Sequence, residues 1–206
     1  MDNSQICILC RGSSMDKADK YFHKINGDMI AVNEFNVELK HDFVHRLFDN
    51  KNVTHLISKD TGLSNLKKEY YKKYGITNVI LNRFACEANE CSGMEKLIES
   101  YGLSPSYLPN ELKVVQKEGG GFPTTGSIAI LYSTLILGKK DIHIAGMDFY
   151  ETDYFNTIPT KNYQKEKGKA LKKFIIDFIR KNKDVNYTFY TDSDFNPKLK
   201  NVVVIK

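Results

Sequence analysis

Short apolar runs rich in β-branched residues alternate along this chain with longer amphipathic stretches, and this alternation limits the possible folds more than any other feature. The apolar runs predict strands at residues 5–10, 29–33, 53–58, 78–82, 141–146, 187–191 and 202–205. The amphipathic stretches predict helices at residues 37–49, 64–74, 92–101, 126–137 and 164–180. Strands that alternate with helices of this length indicate βαβ units. We therefore expect an α/β fold: one Rossmann-like domain over residues 1–206, with a mostly parallel central sheet flanked by helices.

The composition is typical of a globular protein that stays in the compartment where it is made. Hydrophobic residues make up 41% of the 206 residues and charged residues 27%, which are ordinary values for one folded domain. No run of eighteen apolar residues is present, and residues 1–5 lack the basic region and apolar run of a signal peptide. We expect a cytoplasmic protein without a transmembrane segment.

Neither the charge nor the cysteines indicate binding of nucleic acid or metal. Much of the net charge of +5 comes from lysines in residues 161–183, whose helical spacing indicates a solvated helix face. No RNA-binding or helix-turn-helix signature accompanies them, so no nucleic-acid partner is expected. The cysteines are interpreted as ordinary thiols, since the two pairs differ in spacing and the first lies in a predicted strand: Cys7 and Cys10, Cys86 and Cys91.

Ligands of open α/β sheets bind beyond the carboxyl ends of the strands, where the strand order reverses. The first loop in such a place, residues 10–14, contains Arg11, Gly12, Ser13 and Ser14. Glycine permits a close backbone approach, and the hydroxyls, the backbone N–H groups and the guanidinium all suit a phosphate. An ordinary strand-to-helix turn has a similar sequence, so both interpretations stay open.

Two further loops carry polar residues at predicted helix starts. Asn33 closes the second predicted strand, and its amide can contact a base or a ribose, or can cap the helix that follows. Thr124, Thr125 and Gly126 lead into an apolar helix, where hydroxyls favour an anion but also serve as an ordinary N-cap.

The fourth loop follows the predicted strand at residues 141–146. It contains Asp148 and Tyr150, and Tyr154 follows four residues later. The two tyrosines can hydrogen-bond a leaving phosphate, or they can pack a loop. The polar and aromatic segment from about residue 151 to residue 163 is long for a simple connection, and we expect it to form a lid.

Together these four segments resemble the sialyltransferases, most closely the bacterial lipo-oligosaccharide enzymes of glycosyltransferase family 42, and they are similar to the sialylmotifs of the eukaryotic family 29. In the bacterial family the first two strands end in Gly-Asn-Gly-Pro-Ser and Arg-Cys-Asn-Gln-Phe, where this chain has residues 10–14 and 31–35. The family's Thr-Ser-Gly helix start and its later Gly-Ile-Asp-Phe-Tyr segment resemble residues 124–126 and 146–150. The resemblance is most specific over residues 124–154, and residues 40–117 match little.

The resemblance implies a metal-independent transferase that takes sialic acid from CMP-sialic acid and passes it to a glycan or another small acceptor. No cofactor other than the nucleotide-sugar donor is implied. Residues 11–14, Asn33, residues 124–126 and Asp148 would form the nucleotide site. Tyr150 and Tyr154 would stabilise the leaving CMP phosphate.

Two departures from the family pattern bear on catalysis. Arg11 stands where the family has a nucleotide-contacting asparagine, although an arginine can pair with a phosphate. Asn162 stands where the family has a histidine that serves as general base, and Glu166 follows four residues later. An amide does not accept a proton at neutral pH, and a positioned base contributes roughly 10²–10⁴-fold in rate. Glu166, Glu151 and Asp153 are the alternatives for the base.

Two other functions stay open at this level. One is a nucleotide-binding protein of the same fold without transferase activity. The other is a pterin pyrophosphokinase-like enzyme, which would need magnesium and clustered aspartates, of which Asp148 and Asp153 are the nearest pair. The histidines do not separate these functions, because all five are interpreted as packing or surface residues: His23, His41, His45, His55 and His143.

Overall fold

The computed structural model describes residues 4–25, 27–35, 38–49, 51–58, 67–82, 88–112, 124–155 and 162–206 of the chain. Within these ranges there are eight strands: β1 Gln5–Leu9, β2 Gly27–Val32, β3 Lys51–Ile57, β4 Asn78–Leu81, β5 Pro105–Tyr107, β6 Asp141–Ala145, β7 Asn186–Tyr190 and β8 Val202–Ile205. The same ranges contain six α-helices: α1 Lys17–Tyr21, α2 Asp42–Phe48, α3 Lys68–Lys73, α4 Ala88–Ser100, α5 Thr125–Leu131 and α6 Asn162–Lys181.

These strands form one parallel sheet in the order β5-β4-β3-β2-β1-β6-β7-β8. The chain builds the sheet outward from β1 to β5, then returns to place β6 on the other side of β1 and continues to β8. The strand order therefore reverses between β1 and β6, which makes this the topological switch point of the sheet. The predicted α/β fold with a parallel central sheet and flanking helices is confirmed.

The central strands β1 and β6 are covered on both faces. Their register pairs Leu9 with Ala145 at the carboxyl end. Alternate side chains of β1 enter two separate cores, with Cys7 and Leu9 in one and Ile6 and Ile8 in the other. A strand buried on both faces has no solvent side, which explains why these segments read as nearly continuous apolar runs.

The helices cover the two faces of the sheet unequally. Residues of α1 to α4 pack into the core that contains Leu9, and residues of α5 and α6 pack into the other. Every residue of α5 is buried. The helix α6 contributes Leu171, Ile175 and Ile179 at helical spacing, and several of its lysines are exposed, as expected of a solvated helix face.

Some elements differ from the sequence-based expectation. The strand β5 has only three residues, begins with a proline and lies at the sheet edge, so it leaves no pattern of alternation. The five-residue helix α1 was not predicted either. The helix expected at residues 126–137 is α-helical only as far as Leu131 and continues as a π-helical turn, Tyr132–Ile136. The helix expected at residues 37–49 becomes a 3₁₀ turn, Glu38–Lys40, followed by α2.

Two of the sequence-based expectations fall partly outside the described residues. Of the expected lid at residues 151–163, residues 156–161 lie outside, and so do Cys86 and the side chain of Cys91. Cys7 and Cys10 are buried, and burial raises the pKa of each thiol to about 12. Such thiols are protonated at neutral pH and unreactive, which agrees with a packing role. No helix in the described ranges is long and apolar enough to cross a membrane.

Candidate functional site

The loop after β1 is pressed against the loop after β6 at the switch point. The backbone N–H of Gly12 donates to the carbonyl of Gly146 at 2.7 Å. A Cβ at Gly12 would lie 2.5 Å from Oδ2 of Asp148 and 2.7 Å from the Gly146 carbonyl oxygen, which is closer than real Cβ atoms come. Glycine is therefore required at position 12 by the contact between the two loops.

Asp148 is the polar centre of this contact and is only 3% exposed. Its two carboxylate oxygens accept hydrogen bonds from six donors in the loops after β1, β6 and β7: Ser13 Oγ (3.3 Å), Ser14 N (2.9 Å), Ser14 Oγ, Thr152 Oγ1 (3.0 Å), Thr191 Oγ1 (2.7 Å) and Asp192 N (3.3 Å). The carboxylate thus holds three loops together.

The donors of residues 12–14 are all used inside the protein. Besides the bonds of Gly12 and Ser14, the N–H of Ser13 donates to the carbonyl of Asp153 at 3.1 Å. The hydroxyls of Ser13 and Ser14 both contact Asp148. In the structure these donors therefore stabilise the conformation of the loop, and their role at a phosphate stays a prediction.

A second polar cluster lies at the carboxyl ends of β2, β3 and β4. Asn33 follows β2 in the left-handed conformation, with φ of 55°. Its Oδ1 accepts from the N–H of Ser58 at 3.3 Å and from Oγ1 of Thr125 at 3.0 Å. The hydroxyl oxygens of Thr125 and Ser58 are 2.8 Å apart, and Nδ2 of Asn82 lies 3.2 Å from Oγ of Ser58. Asn33 thus joins the start of α5, and among the described residues its side chain makes no hydrogen bond to the helix that follows it.

Ser58 and Asn82 were not among the residues predicted from the sequence. Both are buried and both directly follow a strand, β3 and β4 respectively. The rule that led to Asn33, a polar residue at the carboxyl end of a predicted strand, would also have found these two.

His55 lies behind this cluster and is fully buried. Its Nε2 is 2.6 Å from the carbonyl oxygen of Asn33, and its Nδ1 is 2.7 Å from the hydroxyl of Tyr71. A carbonyl only accepts, so Nε2 carries the proton and Nδ1 accepts from Tyr71. Burial lowers the pKa of His55 to about 4, despite the opposing effect of the Asn33 carbonyl. The imidazole is therefore neutral at pH 7 and supports the backbone of Asn33.

The start of α5 combines a cap with a close approach to β1. The side chain of Thr124 accepts from the N–H of Ser127 at 3.3 Å, which is the ordinary N-cap interaction. A Cβ at Gly126 would lie 2.8 Å from Sγ of Cys10, so glycine lets the helix start lie against the end of β1. Thr125 is the residue of this trio that joins the cluster of Asn33.

The described part of the expected lid, residues 151–155, pairs with the loop after β1. Gly12 and Tyr154 form an antiparallel bridge, and the N–H of Phe155 donates to the carbonyl of Arg11 at 2.8 Å. The hydroxyl of Tyr154 accepts from Nε2 of Gln164 at 3.0 Å. The ring centroids of Tyr150 and Tyr154 are 6.3 Å apart, so the structure brings the two predicted tyrosines together.

Arg11 links the loops after β1 and β2. Its guanidinium forms an ion pair with Glu34 at 3.1 Å and lies over the ring of Tyr154, 5.9 Å from the centroid. The side chains of Arg11 and Glu34 are 13% and 28% exposed. The phosphate contact expected of Arg11 stays a prediction, because the structure pairs this residue with a carboxylate.

Helix α6 touches the loop after β6 through Gly168. A Cβ at this position would overlap the carbonyl oxygen of Phe149. Phe149 and Tyr150 both have positive φ, 51° and 62°, a conformation that costs energy for bulky residues and is often found at functional sites. Helix α6 therefore packs directly against the two residues with strained backbone, Phe149 and Tyr150.

Of the candidates for a general base, Glu166 does not lie on the side of α6 that faces the tyrosines. Gln164 and Gly168 face the loops, so Glu166, two residues from each, lies about 200° around the helix and is exposed. Asn162 begins α6, and its side chain lies outside the described part. Glu151 forms an ion pair with Lys172 and accepts from the N–H of Asp194 at 2.7 Å. In the described ranges no cluster of three or more metal-ligating side chains occurs.

Comparison with solved structures gives a match over nearly the whole chain. The chain is similar to the sialyltransferase CstII from Campylobacter jejuni, solved in complex with a substrate analogue, CMP-3FNeuAc. The TM-score is 0.54 at 13% sequence identity, and the match covers 98% of this chain and 86% of that one. The likeness establishes the fold. No protein-family model and no curated protein sequence matches the chain.

Proposed function

We propose that this protein is a glycosyltransferase of sialyltransferase type, which moves sialic acid from CMP-sialic acid to a glycan or another small acceptor. The observation that carries the proposal is the match of its fold, over 98% of the chain, to a sialyltransferase solved with a CMP-sugar analogue. The four segments that resemble the family meet at one edge of the sheet, around the switch point, where open α/β sheets bind ligands.

In this proposal the nucleotide lies across the carboxyl ends of β1 and β2. Asn33 and the start of α5 contact the nucleoside. Asp148 supports the site indirectly, because its carboxylate holds the loops after β1, β6 and β7 in place. The mildly basic character of the chain, with a net charge of +5, favours an anionic donor.

The leaving CMP phosphate lies against Tyr150 and Tyr154. Nε2 of Gln164 donates to the Tyr154 hydroxyl and orients it. Hydrogen bonds to a charged oxygen are worth about 1.5–3 kcal/mol each. Both tyrosines therefore stabilise the charge that develops as the glycosidic bond to CMP breaks.

The reaction is an in-line displacement at the anomeric carbon. An acceptor hydroxyl attacks this carbon, its proton goes to a base, and CMP leaves with the bonding electron pair. A carboxylate of the protein or a group of the substrate takes the place of the family's histidine, since Asn162 cannot serve. No magnesium is required in this scheme, because the tyrosine hydroxyls face the phosphate.

The test is release of CMP from CMP-sialic acid, measured by anion-exchange chromatography with and without a panel of galactosides. We expect release that depends on the acceptor and is unchanged by EDTA. Loss of release in EDTA would contradict the metal-independent scheme. CMP binding without any release would favour the second candidate function below.

The second candidate is a nucleotide-binding protein of the same fold without transferase activity. The position of Glu166 favours it, because this carboxylate is exposed on the side of α6 away from the tyrosines. The pyrophosphokinase alternative is less favoured. It relied on Asp148 as a magnesium ligand, and both oxygens of that carboxylate already accept hydrogen bonds from the protein.

A further inference from the structure

Within the described residues, the protein holds the amide of Asn33 through its oxygen, Oδ1. Its Oδ1 faces the backbone N–H of Ser58, which can only donate, so the atom at this position is the oxygen and the NH₂ lies on the other side. Among the hydrogen bonds of the described residues, none uses Nδ2 of Asn33. The NH₂ group is thus the part of this side chain that a ligand can meet.

Ser58 and Asn82 fix the hydroxyl that faces the amide oxygen of Asn33. The NH₂ of Asn82 donates to Oγ of Ser58 at 3.2 Å. The Thr125 hydroxyl faces two acceptors, Oγ of Ser58 at 2.8 Å and Oδ1 of Asn33 at 3.0 Å. Ser58 also donates its backbone N–H to Oδ1 of Asn33. The oxygen of the Asn33 amide is therefore surrounded by donors that Ser58 supplies or holds in place.

Burial keeps water out of these contacts. Asn82 is 2% exposed, Thr125 7% and Ser58 9%, so water does not readily replace a lost partner. The backbone of Asn33 is fixed separately by its own N–H to the Leu56 carbonyl at 2.8 Å and by the contact from His55. Backbone and side chain are therefore held from two independent directions.

We propose that Ser58 and Asn82 are positioning residues that hold Asn33 with its NH₂ toward the ligand, so that the site selects a hydrogen-bond acceptor on the nucleoside. The chemical class is an oxygen or an unprotonated ring nitrogen of the base or ribose. The identity of the ligand in this inference rests on the proposed function. The orientation of the Asn33 amide rests on the hydrogen-bonded cluster alone.

The first test is a double-mutant cycle on CMP affinity, measured by isothermal titration calorimetry. Ser58→Ala is expected to weaken CMP binding roughly threefold to tenfold, the usual effect of one hydrogen bond. In an Asn33→Ala background the same change is expected to have no further effect, because Ser58 acts through Asn33. Additive losses would overturn the proposal. Asn82→Leu, which removes the NH₂ that donates to Ser58, replaces Ser58→Ala if that variant fails to fold.

The second test asks which side of the amide meets the ligand. Asn33→Asp keeps the shape but has no NH₂ donors, and uncharged cytidine is the probe so that phosphate repulsion does not contribute. We expect Asn33→Asp to bind cytidine as poorly as Asn33→Ala does. Binding equal to that of the parent protein would overturn the proposal.

A third measurement separates this inference from the proposed function. The side-chain NH₂ signals of Asn33 in ¹H–¹⁵N spectra, assigned by their loss in Asn33→Asp, are recorded without nucleotide. Ser58→Ala is expected to shift or split them, and unchanged signals would overturn the positioning role. If the parent protein binds no nucleotide while the signals respond as expected, the proposed function and the acceptor selection fail and the positioning of Asn33 stands.

Discussion

The choice of aspartate at position 148 follows from the chemistry of its partners. All six groups around the carboxylate donate, and a carboxylate is the side chain that only accepts. An asparagine would turn its NH₂ toward another donor and leave both unpaired, at a cost of about 1–3 kcal/mol for each buried group. The residue that resembles a family motif thus has a structural reason to be there, independent of any ligand.

At the same scale, His55 makes stability depend on pH. Its folded-state pKa of about 4 is below the ordinary value of 6.5, so the unfolded chain binds a proton that the folded protein does not. The contribution is fully present above pH 6.5 and is lost as the pH falls toward 4. We expect unfolding in urea to show a loss of about 2 kcal/mol between pH 7 and pH 5 from this group. In His55→Gln, which can keep both hydrogen bonds without titrating, this part of the loss should vanish; an identical pH profile would show that other groups cause it.

The two tyrosines are tested by Tyr150→Phe combined with Tyr154→Phe. If they hold the leaving phosphate, transfer from CMP-sialic acid falls by roughly tenfold or more for each hydroxyl, since each bond to a charged oxygen is worth about 1.5–3 kcal/mol. The free energy of unfolding should fall far less, because both rings stay. Turnover and urea unfolding are measured on the same preparations. A loss of stability as large as the loss of activity would identify packing residues.

Asn162 is tested by restoring the family's histidine. Asn162→His is expected to raise sialyl transfer or hydrolysis of CMP-sialic acid and to add an apparent pKa near 6–7 to the pH–rate profile, the ordinary imidazole range. Single replacements of Glu166, Glu151 and Asp153 to their amides in the parent protein would locate a substitute base. A fast parent and a slower histidine variant would place the base elsewhere.

At the scale of elements, the contact between α6 and the loop after β6 depends on one missing side chain. A Cβ at Gly168 would overlap the Phe149 carbonyl, so Gly168→Ala forces the helix away from that loop and lowers stability by more than about 2 kcal/mol. Gly93 in α4 is the matched control, because a Cβ there has nothing within 4 Å. Gly93→Ala should raise stability by about 0.5–1 kcal/mol. Equal effects of the two changes in urea unfolding would show that α6 does not pack closely there.

The elements that the sequence predicted are those whose pattern arises locally. The strands β1 and β6 could be predicted from their apolar runs because they are buried on both faces. The start of the helix that contains Gly126 could be predicted because the threonines before an apolar stretch are a local signal. The strand β5 and the five-residue helix α1 could not, since each is too short to repeat a pattern and is fixed by neighbours distant in sequence.

For the candidate site, the sequence predicted the positions of residues but not their hydrogen-bond partners. The positions of Asn33 and Tyr150 follow from the ends of strands, and both lie where that rule puts them. The internal use of the hydroxyls of Ser13 and Ser14 could not be predicted, because their partner Asp148 is more than 130 positions away and only the pairing of β1 with β6 brings it near. Sequence patterns locate strand ends, whereas hydrogen-bond partners depend on the order of strands.

On the scale of the whole molecule, the strand order brings segments that are distant in sequence together at one edge of the sheet. The residues around Gly12, Asn33, Thr125 and Tyr150 lie at the carboxyl ends of strands or at the start of a helix that meets them. They belong to segments far apart in sequence, between residues 12 and 150 of the 206. A nucleotide that contacts all of them therefore binds the folded protein and has no comparable site on the unfolded chain.

Nucleotide binding should consequently stabilise the entire fold. A ligand at about 100 times its dissociation constant adds about 2.7 kcal/mol to the free energy of unfolding, which for a chain of this size raises Tm by roughly 5–10 °C. We expect CMP and CDP to do so in differential scanning fluorimetry, equally in EDTA and in magnesium, and UMP, GDP and ATP to do less. Asn33→Asp is the control that should fold normally and lose most of the shift. If only ATP with magnesium raises Tm, the donor is not a CMP-sugar, and a magnesium-dependent nucleotide enzyme of the same fold becomes the better proposal.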